Sequence, residues 1–143
     1  MSNVLEKICE DKKIEIEIAK KKCSLVSLKK IISDKIIKRE FKSKLIESTR
    51  NKKNFLIGEI KKASPSAGQI IENYKPLEIG KVYEKSGVGA ISILTEGKYF
   101  NGEIDHLSLL KKNTNIPILR KDFIIDEYQI YESKVYQADA ILL

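Results

Sequence analysis

The sequence predicts an α/β chain in which a helical N-terminal segment precedes a parallel sheet. Three observations predict it. No Pro or Gly occurs before Gly58, and Glu, Lys, Ile and Leu dominate, which favours helix over residues 4–49. From Phe55 onward, short apolar runs alternate with amphipathic stretches. Strand, helix, strand, helix in that order implies parallel strands joined by helical crossovers.

Each element has a local reason. Val4, Leu5 and Ile8 share a helical face, as do Leu25 and Leu28, then Phe41 and Leu45. "IEIEI" at 14–18 alternates like a strand, but its Glu/Lys surroundings and the absence of turn residues favour helix. "FLIGEI" at 55–60 is the first predicted strand. "PLEIGKVYEKSG" at 76–87 is a helix with Leu77, Ile79, Val82 and Tyr83 as apolar positions, closed by Gly87. "GAISILT", "IPILRKDF" and "ADAILL" are the next strands, separated by the helices "IDHLSLLKKNT" and "DEYQIYESKVYQ".

Strand starts near 55, 91, 117 and 140 leave gaps of 36, 26 and 23 residues. A (β/α)8 barrel spends about 31 residues per unit, so this spacing fits a barrel. It also fits a doubly wound sheet, although no G-x-G-x-x-G follows the first strand, which argues against the dinucleotide-binding version. The sequence stops inside the fourth predicted strand, where a four-strand parallel sheet would expose an apolar edge. The expectation is an N-terminal piece of something larger, or a half-barrel that self-associates through its open edge.

Composition excludes several classes. With 143 residues and 42% hydrophobic content, one packed domain is expected rather than a disordered chain. No run approaches the ~20 apolar residues of a membrane span, and the charged N-terminus leaves no apolar core for a secretory signal. Cys9, Cys23 and a single histidine fall short of a zinc ligand set, and the cysteines read as reduced thiols of a cytoplasmic protein. The net charge of +7 is spread along the chain and interleaved with glutamate. Without aromatics set among the cations, it suits an anionic small substrate better than a nucleic acid.

The chemistry gathers at strand ends. Strand side chains alternate, so Phe55, Ile57, Glu59 and Lys61 share one face, and Leu56, Gly58 and Ile60 the other. In "PILRKDF", Pro117, Leu119, Lys121 and Phe123 share a face. Two lysines and a glutamate would thus converge at the C-terminal strand ends, where barrel active sites are built. They would suit an anionic substrate, with one lysine able to donate a proton. The competing reading makes them ordinary strand-end charges at the solvent boundary.

"GEIKKASPSAG", "SILTEGKYFNG" and "PILRKDFIIDEYQIYESKVYQADAILL" closely resemble the indole-3-glycerol phosphate synthase family, and "VLEKICEDKKIEI" resembles its N-terminal helical extension. The resemblance covers essentially the whole chain. It implies a (β/α)8 TIM barrel, with 1–50 as the helical extension and 51–143 as the first half of the barrel, and with extra helices packed over the catalytic face. It implies conversion of 1-(2-carboxyphenylamino)-1-deoxyribulose 5-phosphate to indole-3-glycerol phosphate with loss of carbon dioxide and water, in tryptophan biosynthesis, without cofactor or metal.

Residue by residue, the resemblance gives Lys121 the role of general acid on the substrate carbonyl oxygen. It gives Lys61 the holding of substrate anions and a part in the later dehydration, and Glu59 the orientation of both lysines. Ser64 would line the site, and Phe100, Phe123 and Leu142 would hold the aromatic ring. The physics agrees, since a carboxylate and a phosphate need cations and a benzene ring needs an apolar slot.

Gly58 stands where the family often has alanine, a small change on the outer face, and Gly97 would loosen the second loop. The family's second essential carboxylate and its phosphate loops fall beyond residue 143, so the 143-residue chain is expected to be inactive alone. The rival readings are another phosphate-binding barrel such as phosphoribosylanthranilate isomerase, and a non-catalytic, self-associating half-barrel. His106 is expected at the surface or as a helix cap. Lys20–Lys22 read as a solvated face, and Tyr128, Tyr131 and Tyr136 as packing residues.

Overall fold

The computed structural model describes residues 4–32 and 39–143. Three helices come first: α1 Val4–Lys22, α2 Leu25–Ile31 and α3 Phe41–Arg50. β1 Ile57–Ile60 follows, then a small antiparallel ribbon of β2 Ala63–Ser64 and β3 Gly68–Gln69. The remainder alternates: α4 Pro76–Lys85, β4 Ala90–Leu94, α5 Asp105–Asn113, β5 Ile118–Lys121, α6 Glu127–Val135 and β6 Ala140–Ile141. β1, β4, β5 and β6 form one parallel sheet in chain order. These are the four strands expected from the apolar runs.

Local chemistry sets the boundaries. The "IEIEI" stretch lies inside α1, where Ile8, Lys12 and Ile16 form the buried stripe at i, i+4, i+8. The predicted helical stretch breaks at Ser24, whose hydroxyl accepts from the Ser27 amide and caps α2. Pro76 occupies the first turn of α4, and Gly87, at φ 79°, continues past its end in the left-handed region. α6 starts in a capping box between Asp126 and Gln129.

The core lies between the sheet and its helices. Ile60, Ile91, Ile93, Leu107, Leu110 and Ile118 are all at most 1% exposed. Each such side chain contributes about 1.5–3 kcal/mol relative to exposure. A second cluster joins α1, α2 and α6 through Ile16, Leu28 and Tyr128, with Tyr131 packed against it. Tyr136 packs on the main core, so all three tyrosines pack as the spacing predicted.

The helices before β1 divide between the two ends of the sheet, which corrects the expectation that they all cover one face. α1 reaches the C-terminal strand ends through Lys12. α3 lies at the N-terminal ends, where Phe41 meets Phe55 edge-on at 5.6 Å. Arg39 ties that end together: its amide donates to Asp139, and its guanidinium donates to the carbonyls of Ile116, Lys111 and Thr114. Asp139 also takes the buried Lys111 ammonium and the Ile118 amide. Burial pulls the Lys111 pKa below its ordinary value despite that partner.

Gly58 faces the helices as predicted, but a methyl group there would not be a small change. A Cβ at position 58 would meet the Tyr83 ring at 2.6 Å, and the Tyr83 hydroxyl donates to the Glu59 carbonyl at 3.0 Å. Gly58→Ala is therefore expected to cost about 1–3 kcal/mol, read as a lower urea midpoint. An unchanged midpoint would mean that Tyr83 moves freely.

Candidate functional site

The register builds the site in layers. Glu59, Ser92, Leu119 and Ala140 stand side by side across the four strands. Two residues further on, Leu94 pairs with Lys121, and the same register brings Lys61 and Leu142 into that row. Parallel strands in register point equivalent side chains to the same face. The alternation read from "GEIK" and "LRK" thus puts Glu59, Lys61 and Lys121 on one face.

The three groups touch. Glu59 accepts from Lys121 at 2.5 Å through Oε2 and from Lys61 at 3.0 Å through Oε1. Each side chain is about a third exposed, at 32%, 40% and 33% for Glu59, Lys121 and Lys61. Partial burial opposes ionisation of Glu59, but hydrogen bonds from Lys121 and then Lys61 outweigh it. Its pKa therefore lies below the ordinary carboxylate value. One carboxylate clamped by two ammonium groups leaves a net positive site, fit to attract an anion.

The apolar candidates also meet. The Phe100 and Phe123 rings lie 6.1 Å apart, tilted by 44°. Leu142 continues the β5–β6 pairing through its amide to the Arg120 carbonyl, and the residue is 47% exposed. Ser64 is in the β2–β3 ribbon just past Lys61, where its hydroxyl accepts from the Ala67 amide.

Reading one strand face missed the groups behind the rim. Arg120 points away from Lys121, into the helix-facing side, and is 3% exposed. It donates to Asp122, Glu132, Ser133 and Thr95. The buried Asp122 accepts from Thr95 at 2.6 Å, the Phe123 amide at 2.8 Å, Arg120 at 3.0 Å and Lys12 at 3.1 Å. Glu96, 1% exposed, accepts from the amides of Lys98, Tyr99 and Phe100. The loop that Gly97 was expected to loosen is thus a turn pinned by a carboxylate. The same alternation in "PILRKDF" was the signal that could have found them, since it leaves Arg120 and Asp122 for the helix side, where charges persist only when paired.

Burial opposes ionisation of Asp122, but the charges of Arg120 and Lys12 prevail and its pKa falls below the usual range. Burial likewise opposes protonation of Lys12, and Asp122 and Glu15 together raise its pKa overall. A carboxylate with a depressed folded pKa contributes stability above its unfolded value, near 4, and loses it as pH falls through the folded value. The share of the urea midpoint due to Asp122 and Glu59 is therefore expected to hold above about pH 5 and to fall below about pH 4, while His106, buried with a lowered pKa, adds a separate decline that starts as pH drops below about 6.5. A midpoint that stayed constant well below that range would contradict the ion-pair assignments for Asp122 and Glu59.

The remaining sequence candidates are structural. Lys21 and Lys22 are exposed, as the solvated-face reading expects, whereas Lys20 bridges Glu17 and Asp126. His106 is half-buried rather than at the surface: it packs edge-on against Tyr74 at 5.7 Å, and its Nδ1 is buried without a partner among the described residues. Burial lowers its pKa, outweighing the nearby Glu103. Ser92 Oγ, in the row beside Glu59, is likewise buried without a partner among the described residues. Cys9 and Cys23 are free thiols. Among the described residues, no helix is long and apolar enough to cross a membrane.

Comparison with known proteins points one way. The family model described as indole-3-glycerol phosphate synthase matches residues 5–143. A Clostridium acetobutylicum protein named indole-3-glycerol phosphate synthase is 47% identical over 142 residues, covering 98% of this chain and 52% of the relative. A Campylobacter fetus protein of the same name is 46% identical over 140 residues, covering 98% and 53%. One from Legionella pneumophila is 45% identical over 143 residues, covering 100% and 54%. The chain spans about half the length of the relatives it matches.

Proposed function

The chain belongs to the indole-3-glycerol phosphate synthase family, and from that premise we propose that it carries the lysine–glutamate–lysine half of a ring-closing carboxy-lyase site. The family fold is a (β/α)8 barrel, and the four parallel strands fit four consecutive strands of one. On this reading residues 1–50 form the extension and 51–143 the first half of the barrel. The protein would work in the cytoplasm.

The substrate proposed is 1-(2-carboxyphenylamino)-1-deoxyribulose 5-phosphate. Lys121 protonates its carbonyl oxygen as the ring closes. Carbon dioxide leaves, and Lys61 assists the dehydration that yields indole-3-glycerol phosphate. Glu59 orients both ammonium groups, Ser64 lines the pocket, and Phe100, Phe123 and Leu142 hold the benzene ring. These steps use side chains alone and invoke no metal or cofactor. The observation that supports the reading best is Glu59 held between Lys61 and Lys121 at hydrogen-bond distance, since an acid and an anion clamp must be aimed before substrate arrives.

The test joins this chain to the C-terminal half of the Clostridium acetobutylicum relative and expresses the chimera in a tryptophan auxotroph lacking this step. Growth without tryptophan is expected, and its absence from a folded chimera would count against the reading. A second reading, self-association, draws on β1: it pairs on one side only among the described residues, and Leu56 is 63% exposed beside it. Light scattering after size exclusion decides between monomer and dimer.

A further inference from the structure

We infer that Lys12 of α1 is a positioning residue that sets the spacing of the Phe100–Phe123 pair. Its ammonium lies 3.1 Å from Asp122 Oδ1 and 3.9 Å from Glu96 Oε1, and its side chain is 2% exposed. Each of those carboxylates holds the amide of one member of the pair, and Glu96 also holds those of Lys98 and Tyr99. Asp122 Oδ1 accepts from the Phe123 amide at 2.8 Å, and Glu96 Oε2 accepts from the Phe100 amide at 3.1 Å. Phe100, Glu96, Lys12, Asp122 and Phe123 are therefore linked by consecutive polar contacts from one backbone amide to the other.

Charge explains why the bridge matters. Glu96 and Asp122 follow neighbouring strands, β4 and β5, and both are 1–2% exposed. Two buried carboxylates brought this close repel each other, and an ammonium between them turns repulsion into attraction. Simple docking of α1 does not need this lysine alone. Asp11 accepts from Tyr99 and Lys98, and Lys20 pairs with Asp126, so α1 has other attachments. Lys12 differs from them in touching both acids that hold the aromatic loops. Its use in catalysis rests on the proposed aromatic slot, whereas the coupling itself does not.

Amide hydrogen exchange of the 143-residue chain, followed by NMR, tests the coupling without substrate. In Lys12→Met, the Phe100 and Phe123 amides are expected to lose protection together, by about tenfold or more, while Ile93 and Ile118 keep theirs. Lys12→Arg is expected to restore most of that protection. Asp11→Asn, which weakens α1 docking elsewhere, should leave the Phe123 amide unchanged. The inference is overturned if both amides stay protected in Lys12→Met, if only one responds, or if Asp11→Asn reproduces the paired loss. Should Lys12→Met fail to fold, Glu96→Gln replaces it: the Phe123 amide, which Glu96 does not touch, must then lose protection, and an unchanged Phe123 overturns the inference. N-methylanthranilate titrated into the wild-type chain tests the slot separately. If it leaves the Phe100 and Phe123 resonances unmoved, the aromatic-binding role fails and the exchange coupling stands.

Discussion

Asp122→Ala is expected to cost about 3–5 kcal/mol, the usual penalty for removing one partner of a buried ion pair. The side chain is 1% exposed and accepts from Thr95, the Phe123 amide, Arg120 and Lys12. Alanine would leave two cations buried, Lys12 and Arg120, with their shared counter-ion gone. Domains are commonly stable by only about 5–15 kcal/mol, so the loss would take a large part of the total. The urea midpoint measures it, against Glu78→Gln as an exposed control expected to stay within about 0.5 kcal/mol. A midpoint for Asp122→Ala as close to wild type as the control would refute the network.

Lys121→Met carries the largest expected effect on activity. In the chimera it should lower turnover by about 10²–10⁴, the range for removing a general acid, with product formation followed by absorbance. Methionine keeps the length and most of the apolar stem, so Phe123 and the strand end should be undisturbed. Lys121→Arg should not rescue, because a guanidinium holds its proton too tightly to donate it. Activity within tenfold of the parent would remove Lys121 from the role that the family resemblance implies.

Much of the fold was legible, for a physical reason. Apolar runs such as "AISIL" and amphipathic stretches such as "PLEIGKVYEK" carry their period in the local sequence, and the sheet follows from their alternation. The pairing of Glu59 with Lys61 and Lys121 was legible too, because parity along a strand decides the face. What stayed hidden depends on distant partners. Helical spacing sets Lys12, not Lys13, on the stripe of Ile8 and Ile16, but nothing local says that Glu96 and Asp122 will pair with a lysine buried there. His106 likewise reads as a surface residue until Tyr74 covers it. The opposite placements of α1 and α3 were not readable either, since no local pattern says which end of a sheet a preceding helix will reach.

Arg39 has a consequence for the order of assembly. Its partners Lys111, Thr114, Ile116 and Asp139 lie 72–100 residues further along. Lys20 waits in the same way for Asp126, 106 residues away. On the ribosome the N-terminal helices emerge first, yet their partners arrive several seconds later at about 5–20 residues per second. The early segment must therefore stay hydrated and unattached while the strands form. Its abundance of lysine and glutamate suits such a wait, because charged side chains favour hydration over early collapse.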